Sequence, residues 1–272
     1  MPSIDLARLR KQALRLADFF FAPEEFARNL NATLDTYVNY TARARRPASA
    51  GSNLPTHRTP SVVMRQIEQE LAPIAAASQN ADAALALADQ LWDEGWLETR
   101  LLAAFILGRI SPEEAPLIAR LTAWTAQVRD PGLSLQLLDA GLVRMRKEAP
   151  DMFLQMLTEW LRPERPRLWS DAIRAAISAA RDPRFGNLPA LLAALQPMVR
   201  AAPAQIQLDL EELLLALYEV SPTETTYFIR QVLSTADDPL TAVAFRRMSP
   251  SFPRQLREDI QELVRGKPFS VA

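Results

Sequence analysis

Short apolar helices separated by tight corners run through most of this chain, and this pattern constrains the fold more than any other feature. Residues 81–110 contain LALADQLWDEGWLETRLLAAFILGRI, which predicts one helix, a corner and a second helix. The same arrangement repeats as far as Arg265, where apolar stretches are interrupted by Pro, Asp-Pro or Ser-Pro. No stretch shows the alternation of apolar and polar residues that is typical of strands. The sequence therefore predicts an all-α protein.

The spacing of the corners predicts how these helices pack. After Pro60, helix starts are predicted near residues 62, 82, 97, 113, 133, 151, 167, 187, 205, 223, 238 and 252. Short corners make neighbouring helices antiparallel, and two helices with their corners take about 36 to 42 residues, close to the HEAT/armadillo period. Because one such pair cannot bury its apolar face alone, pairs must stack on each other. We therefore expect an α-solenoid, or α-α superhelix, of HEAT-like antiparallel helix pairs.

Composition divides the chain into three regions. Residues 1–42 predict an N-terminal helical hairpin, residues 43–61 an arginine-rich Pro/Ser/Gly loop, and residues 62–272 the HEAT-like helical-repeat domain. The first helix carries an apolar face that is also a candidate for self-association. The residues of this face are Leu6, Leu9, Leu16 and Phe20.

The predicted loop lies in the most positive part of the chain. No acid lies between Asp35 and Glu68, and the candidate partner-binding arginines in this interval are Arg43, Arg45, Arg46 and Arg58. The segment is either a solvated linker or a phosphate-binding loop. Since the formal net charge is -1, the chain as a whole does not attract phosphate or anionic lipid, and a nucleic-acid surface requires local clustering of cations.

Composition also excludes several chemistries. There is no cysteine, and the single histidine, His57, cannot supply a metal cluster or a Ser-His-Asp relay; it is interpreted as a loop residue. The seven glycines form neither GxGxxG nor GxxxxGK[ST]. We expect no metal, no cofactor and no membrane partner. With neither a secretory leader nor a long apolar run, we expect a cytoplasmic protein.

Several segments, in order along the chain, resemble the HEAT-like DNA-alkylation-repair glycosylases, the AlkD family. The first are Leu91-Trp92, Glu98-x-Arg100-Leu101-Leu102-Ala103 and Leu107-Gly108. The later ones are Ala140-Gly141-Leu142, Ala149-Pro150, Trp160, Leu168-Trp169 and Ala175-Ala176-Ile177. The resemblance covers about residues 62–265. It implies a concave solenoid that cups duplex DNA and releases cationic alkylated bases with a tryptophan and an aspartate one turn apart.

The residues that would carry this chemistry are not where the resemblance places them. Counted back from Gly141, the family's Trp and Asp would fall near Arg129 and Leu133. The nearest substitute is Trp124 with Asp130, six residues apart. Asp130 precedes a proline, which also favours a helix N-cap or corner role.

Two readings of function follow. The first is a non-enzymatic helical-repeat scaffold that holds a protein or DNA on its concave face, with Trp169 and Arg174 as further partner-binding candidates. Arg174 lies near Ala172, where the resemblance implies a basic residue. The alternative is a divergent DNA glycosylase that excises alkylated purines, in which Trp124, Asp130, Trp169 and Arg174 rebuild the site.

Overall fold

The structure, a computed structural model, describes residues 4–38, 54–113, 115–235 and 239–265, and these ranges contain helices and no strand. The all-α class predicted from the sequence is confirmed. The α-helices of the first half are α1 (Leu6–Ala17), α2 (Pro23–Thr36), α3 (Ser61–Ala76), α4 (Ala81–Asp93), α5 (Leu97–Leu107), α6 (Ala115–Gln127), α7 (Pro131–Gly141) and α8 (Val143–Glu148). Those of the second half are α9 (Pro150–Trp160), α10 (Trp169–Arg181), α11 (Leu188–Ala201), α12 (Gln207–Val220), α13 (Pro222–Thr235), α14 (Pro239–Met248) and α15 (Arg254–Arg265). Short 3-10 helices span Ser78–Asn80, Pro166–Leu168, Ala204–Ile206 and Ser249–Ser251.

One predicted helix is divided in two. A single helix was expected from about residue 133 to the next corner, but the chain breaks at Leu142, which ends α7 and starts α8. The buried Arg146 stabilises this break, because its guanidinium donates to the Leu138 carbonyl at 3.1 Å and to the Asp139 carbonyl at 3.0 Å. These carbonyls lie in the last turn of α7, where no further helical N–H groups are available as donors. The pattern of apolar residues in the sequence does not reveal that Arg146 would supply these donors.

The helices pack in two compact units, Met1–Ala149 and Pro150–Ala272. In the first unit, α1 packs on α3, α3 on α5 and α5 on α7, while α2 packs on α4. In the second unit, α9 packs on α11, α10 on α12, α11 on α13, α12 on α14 and α13 on α15. Apart from α6 and α8, the helices therefore each contact a second neighbour in the same unit, as stacked helix pairs do. The superhelix itself stays a prediction.

Among the described glycines, Gly108 lies closest to a neighbouring backbone, where the end of α5 meets α7. A Cβ added to Gly108, which follows α5, would lie 1.8 Å from the carbonyl oxygen of Ala140 and 2.9 Å from its carbonyl carbon. No side chain larger than hydrogen fits at that distance without moving backbone. Gly108 therefore sets how closely the two helices stack.

The N-terminal hairpin, α1 and α2, packs on α3 and α4 within the first unit. Leu9, Leu16 and Phe20 are buried in that contact, whereas Leu6 is 58% exposed. Of the four residues predicted for self-association, only Leu6 is therefore available on the surface of the folded chain. Self-association and the three-region division of the sequence both stay predictions.

Candidate binding and catalytic site

Trp124 lies near the C-terminal end of α6 and is held in an aromatic stack. Its ring packs on Trp92 of α4, with ring centroids 4.2 Å apart and planes 4° apart. Arg100 lies 5.0 Å from the Trp92 centroid and donates to the Trp92 carbonyl at 3.1 Å. Only 6% of Trp124 is exposed. An alkylated base could stack on Trp124 only if this packing opened.

Asp130 is the N-cap of α7, as the Asp-Pro sequence predicted. Its side chain accepts a hydrogen bond from the Leu133 N–H at 2.8 Å, and its carbonyl accepts one from the Ser134 N–H at 2.9 Å. The residue is 8% exposed. An N-cap carboxylate satisfies donors that the first turn of a helix leaves free. Asp130 therefore already has a structural role at the position where the alternative reading needs a catalytic carboxylate.

Trp169 is the first residue of α10, and it is hydrogen-bonded to the corner that connects α9 to α10. Its Nε1 donates to the Arg162 carbonyl at 2.9 Å, and only 9% of the residue is exposed. A buried indole needs a partner for its N–H, and here the corner between α9 and α10 supplies it. The ring thus packs as part of the second unit.

Arg174 lies between two carboxylates. Its guanidinium is 3.6 Å from Asp171 one turn earlier and 3.8 Å from Asp209 of α12, and the side chain is 34% exposed. Asp209 also accepts from the Ser170 hydroxyl at 2.6 Å. A phosphate would have to displace Arg174 from two negative charges, so this cluster favours a cation over an anion. Asp209 could not be predicted as a partner of Arg174, because it lies 35 residues away along the chain and reaches Arg174 through α10–α12 packing.

Of the four candidate arginines of the loop, the structure describes Arg58 only. Arg43, Arg45 and Arg46 lie outside the described residues. Arg58 is exposed, has a left-handed backbone with φ 56°, and its N–H donates to the Thr56 hydroxyl at 3.0 Å. Few non-glycine residues adopt this left-handed conformation, so it marks a tight turn of the backbone at Arg58. This turn exposes the Arg58 side chain to solvent.

That turn is held by Glu98, a residue of the family-like segment whose role the sequence did not reveal. Glu98 is 5% exposed, and its carboxylate accepts from the Thr56 hydroxyl at 2.6 Å, the His57 N–H at 3.1 Å and the Thr59 N–H at 3.5 Å. A buried carboxylate is tolerated when donors surround it. Glu98 thus fixes residues 56–59 to the first turn of α5.

His57 joins the same turn to the N-terminal hairpin. Its Nδ1 lies 2.8 Å from an Asp35 oxygen of α2, and its ring stacks on Trp96 with centroids 4.3 Å apart. The residue is 7% exposed. The prediction that His57 is a loop residue is confirmed, and its contacts anchor the described residues beside it to α2 and Trp96.

Within residues 4–38, 54–113, 115–235 and 239–265, no group of three or more His, Asp or Glu side chains is arranged to hold a metal ion. No described helix is both long enough and apolar enough to cross a bilayer.

Fold and site together define an all-α protein of stacked helix pairs, whose candidate excision residues Trp124 and Asp130 are engaged in packing and capping. A family model described as DNA alkylation repair enzyme matches residues 57–246. The match covers well over half of the chain, and the protein belongs to the DNA alkylation repair enzyme family. The resemblance seen in the sequence is confirmed, and the match, like the resemblance, leaves out α1 and α2. No match was found among curated proteins or among solved structures.

Proposed function

We propose that this protein is a non-catalytic, helical-repeat member of the DNA alkylation repair enzyme family that holds a macromolecular partner on its predicted concave face. The observation that carries the proposal is the state of Trp124 and Asp130. Trp124 is stacked on Trp92 at 4.2 Å, and the Asp130 side chain caps α7 at 2.8 Å. Both are more than nine-tenths buried.

Excision of a cationic base makes specific demands on a site. An open aromatic face has to attract the base, and a carboxylate has to stabilise the positive charge that develops on the sugar. In this chain the Trp124 ring is packed on another indole, and the Asp130 carboxylate caps the start of α7. Neither side chain can meet its demand without rearrangement. At the positions the resemblance implies, the chain has Arg129 and Leu133, which supply neither group.

A divergent glycosylase is the second candidate, and the family match over residues 57–246 favours it. The discriminating variant is Asp130→Asn. Asparagine caps a helix about as well as aspartate, so this change removes the charge and keeps α7. Asp5→Asn is the matched control, because Asp5 caps α1 through the N–H groups of Ala7 and Arg8, outside the family match.

The assay is release of base from duplex DNA that contains N3- or N7-alkylated purine. We expect the unaltered protein and both variants to show the same background release. Protein-dependent release that Asp130→Asn abolishes and Asp5→Asn retains would establish the glycosylase instead.

The partner is DNA or protein, and salt dependence separates the two. With a net charge of -1, DNA could be held only by local clusters of cations. Binding to undamaged duplex would then fall steeply between about 50 and 200 mM salt. Absence of binding at the low-salt end points to a protein partner.

A further inference from the structure

The outer face of α1 carries a row of cations, and we propose that this row contacts the backbone phosphates of duplex DNA. Its members are Arg8, Lys11 and Arg15, spaced three and four residues apart in LARLRKQALRLA. At about 100° per residue, this spacing brings the three side chains onto one face of the helix. We call them the α1 row.

The packing of α1 turns this row outward. Leu9, Ala13 and Leu16 form the opposite face and are buried in the first unit, where α1 contacts α2 and α3. All three residues of the α1 row are exposed. The helix is therefore fixed by its apolar side while its charged side is presented to solvent.

The row also lacks the acidic partners that neutralise arginines elsewhere. Among the described residues, no carboxylate forms an ion pair with Arg8, Lys11 or Arg15. Asp5 is taken up as the N-cap of α1, where it accepts from the N–H groups of Ala7 and Arg8 at 3.0 and 3.1 Å. The remaining cation of the helix, Arg10, pairs with Glu70 at 3.5 Å and is not part of the row. The α1 row thus presents three cations without an ion-pair partner among the described residues, flanked by Asp5 and Asp18 at the two ends of the helix.

The spacing of the row suits one strand of a duplex. An α-helix rises about 1.5 Å per residue, so Arg8 and Arg15 lie about 10 Å apart along the axis. A DNA strand presents a phosphate about every 3.4 Å of duplex axis. Three flexible cationic side chains over this length can reach about three phosphates. Contacts of this kind give affinity and register without reading sequence.

An anionic lipid surface is the competing target for a cationic helix. A helix that lies in a membrane interface inserts its apolar face among the acyl chains. The apolar face of α1 is already occupied by the core of the first unit, and the exposed apolar residues nearby are the separate side chains Leu6, Leu14 and Phe21. The geometry therefore favours a phosphate backbone over a membrane.

The inference rests on the proposed binding function, and it places DNA contact in the N-terminal hairpin, outside residues 57–246. The test variant changes Arg8, Lys11 and Arg15 to Gln in the full chain, since Gln has a helix propensity close to that of Lys and Arg. The control changes Arg181, Arg230 and Arg254 to Gln. These arginines are also exposed, but they pair with Glu219, Asp259 and Glu258 at 3.4, 3.2 and 2.8 Å.

The measurement is fluorescence anisotropy of a labelled, undamaged duplex over a salt series. Each phosphate contact contributes about 0.9 to the slope of log K against log salt. The α1-row variant should therefore lose about 2 to 3 from the slope, with a corresponding loss of affinity at low salt. The control has the same net charge and should keep the slope of the unaltered protein. Unchanged circular dichroism and an unchanged melting temperature establish that both variants fold. If the triple variant does not fold, Lys11→Gln alone is measured, with an expected loss of about 0.9 from the slope.

The outcomes separate the inference from the proposed function. If the unaltered protein binds DNA and the α1-row variant binds with the same slope, the inference is wrong and the binding function stands. If the unaltered protein does not bind duplex at low salt, the inference is wrong and the partner is sought among proteins. If it binds phosphatidylserine vesicles through the α1 row but not DNA, the row recognises lipid and the inference is overturned.

Discussion

Replacing Gly108 by alanine tests the close stacking of α5 on α7. The added Cβ would lie 1.8 Å from the Ala140 oxygen and 3.3 Å from Cγ1 of Val143. Ordinary carbon contacts begin near 3.4 Å, so the two helices would have to separate by about 1.5 Å or distort at this point. Gly108 has φ -69° and ψ -4°, a conformation that alanine adopts freely. The contact, and not the backbone conformation, therefore decides the result.

The expected magnitude follows from two opposing effects. Overpacking of a close contact costs about 1 to 3 kcal/mol. Alanine gains up to about 1 kcal/mol over glycine at a helical position. Because the obstructing atoms are backbone and cannot rotate away, we expect the first effect to win, with a net loss near 1 to 2 kcal/mol in the free energy of unfolding.

Urea denaturation followed by tryptophan fluorescence measures this loss, since Trp92 and Trp124 report on the first unit. Gly186→Ala is the control, because a Cβ at Gly186 would meet nothing within 4 Å. Its effect should stay within about 0.5 kcal/mol. A Gly108→Ala variant as stable as the control would show that α5 and α7 do not approach as the structure describes.

Substitutions at three further residues, Asp130, Glu98 and Glu68, test individual features of the structure. Asp130→Ala should lower the unfolding free energy by about 1 kcal/mol through loss of the α7 cap, while Asp130→Asn changes it by only a few tenths in the same urea assay. Glu98→Gln turns one acceptor into a donor facing Thr56 or the His57 N–H, and should lower the unfolding free energy by about 1 to 3 kcal/mol; an unchanged urea midpoint would refute the anchored turn. Burial raises the pKa of Glu68 in α3 above 4.5, so the native state holds its proton more tightly than the unfolded chain and stability falls as pH rises through that pKa. Glu68→Gln should therefore gain stability relative to the unaltered protein at pH 7, and this gain should vanish below pH 4.5; a gain equal at both pH values would contradict the assignment.

The helices could be predicted because their boundaries are local. Starts predicted near 62, 82 and 97 correspond to Ser61, Ala81 and Leu97, since prolines, capping residues and apolar periodicity act within a few residues. Asp130 was readable for the same reason, as an aspartate before a proline favours an N-cap. The break at Leu142 was missed because it depends on the side chain of Arg146, four residues further on.

The contacts of the candidate site depend on helix packing, which the sequence does not encode locally. Trp124 reaches Trp92 because α4 and α6 belong to one unit. Arg174 meets Asp209 through α10 and α12. The sequence therefore supplied candidate side chains, and only the packing showed that Trp124 and Arg174 already have partners.

A single-turnover reaction, with the protein in excess over duplex carrying one N7-methylguanine, tests directly whether this chain excises alkylated bases. We predict that free base accumulates no faster with the protein than in buffer alone, even where the duplex is bound. Release that accelerates in proportion to bound protein would refute the non-catalytic function and make this chain an active glycosylase.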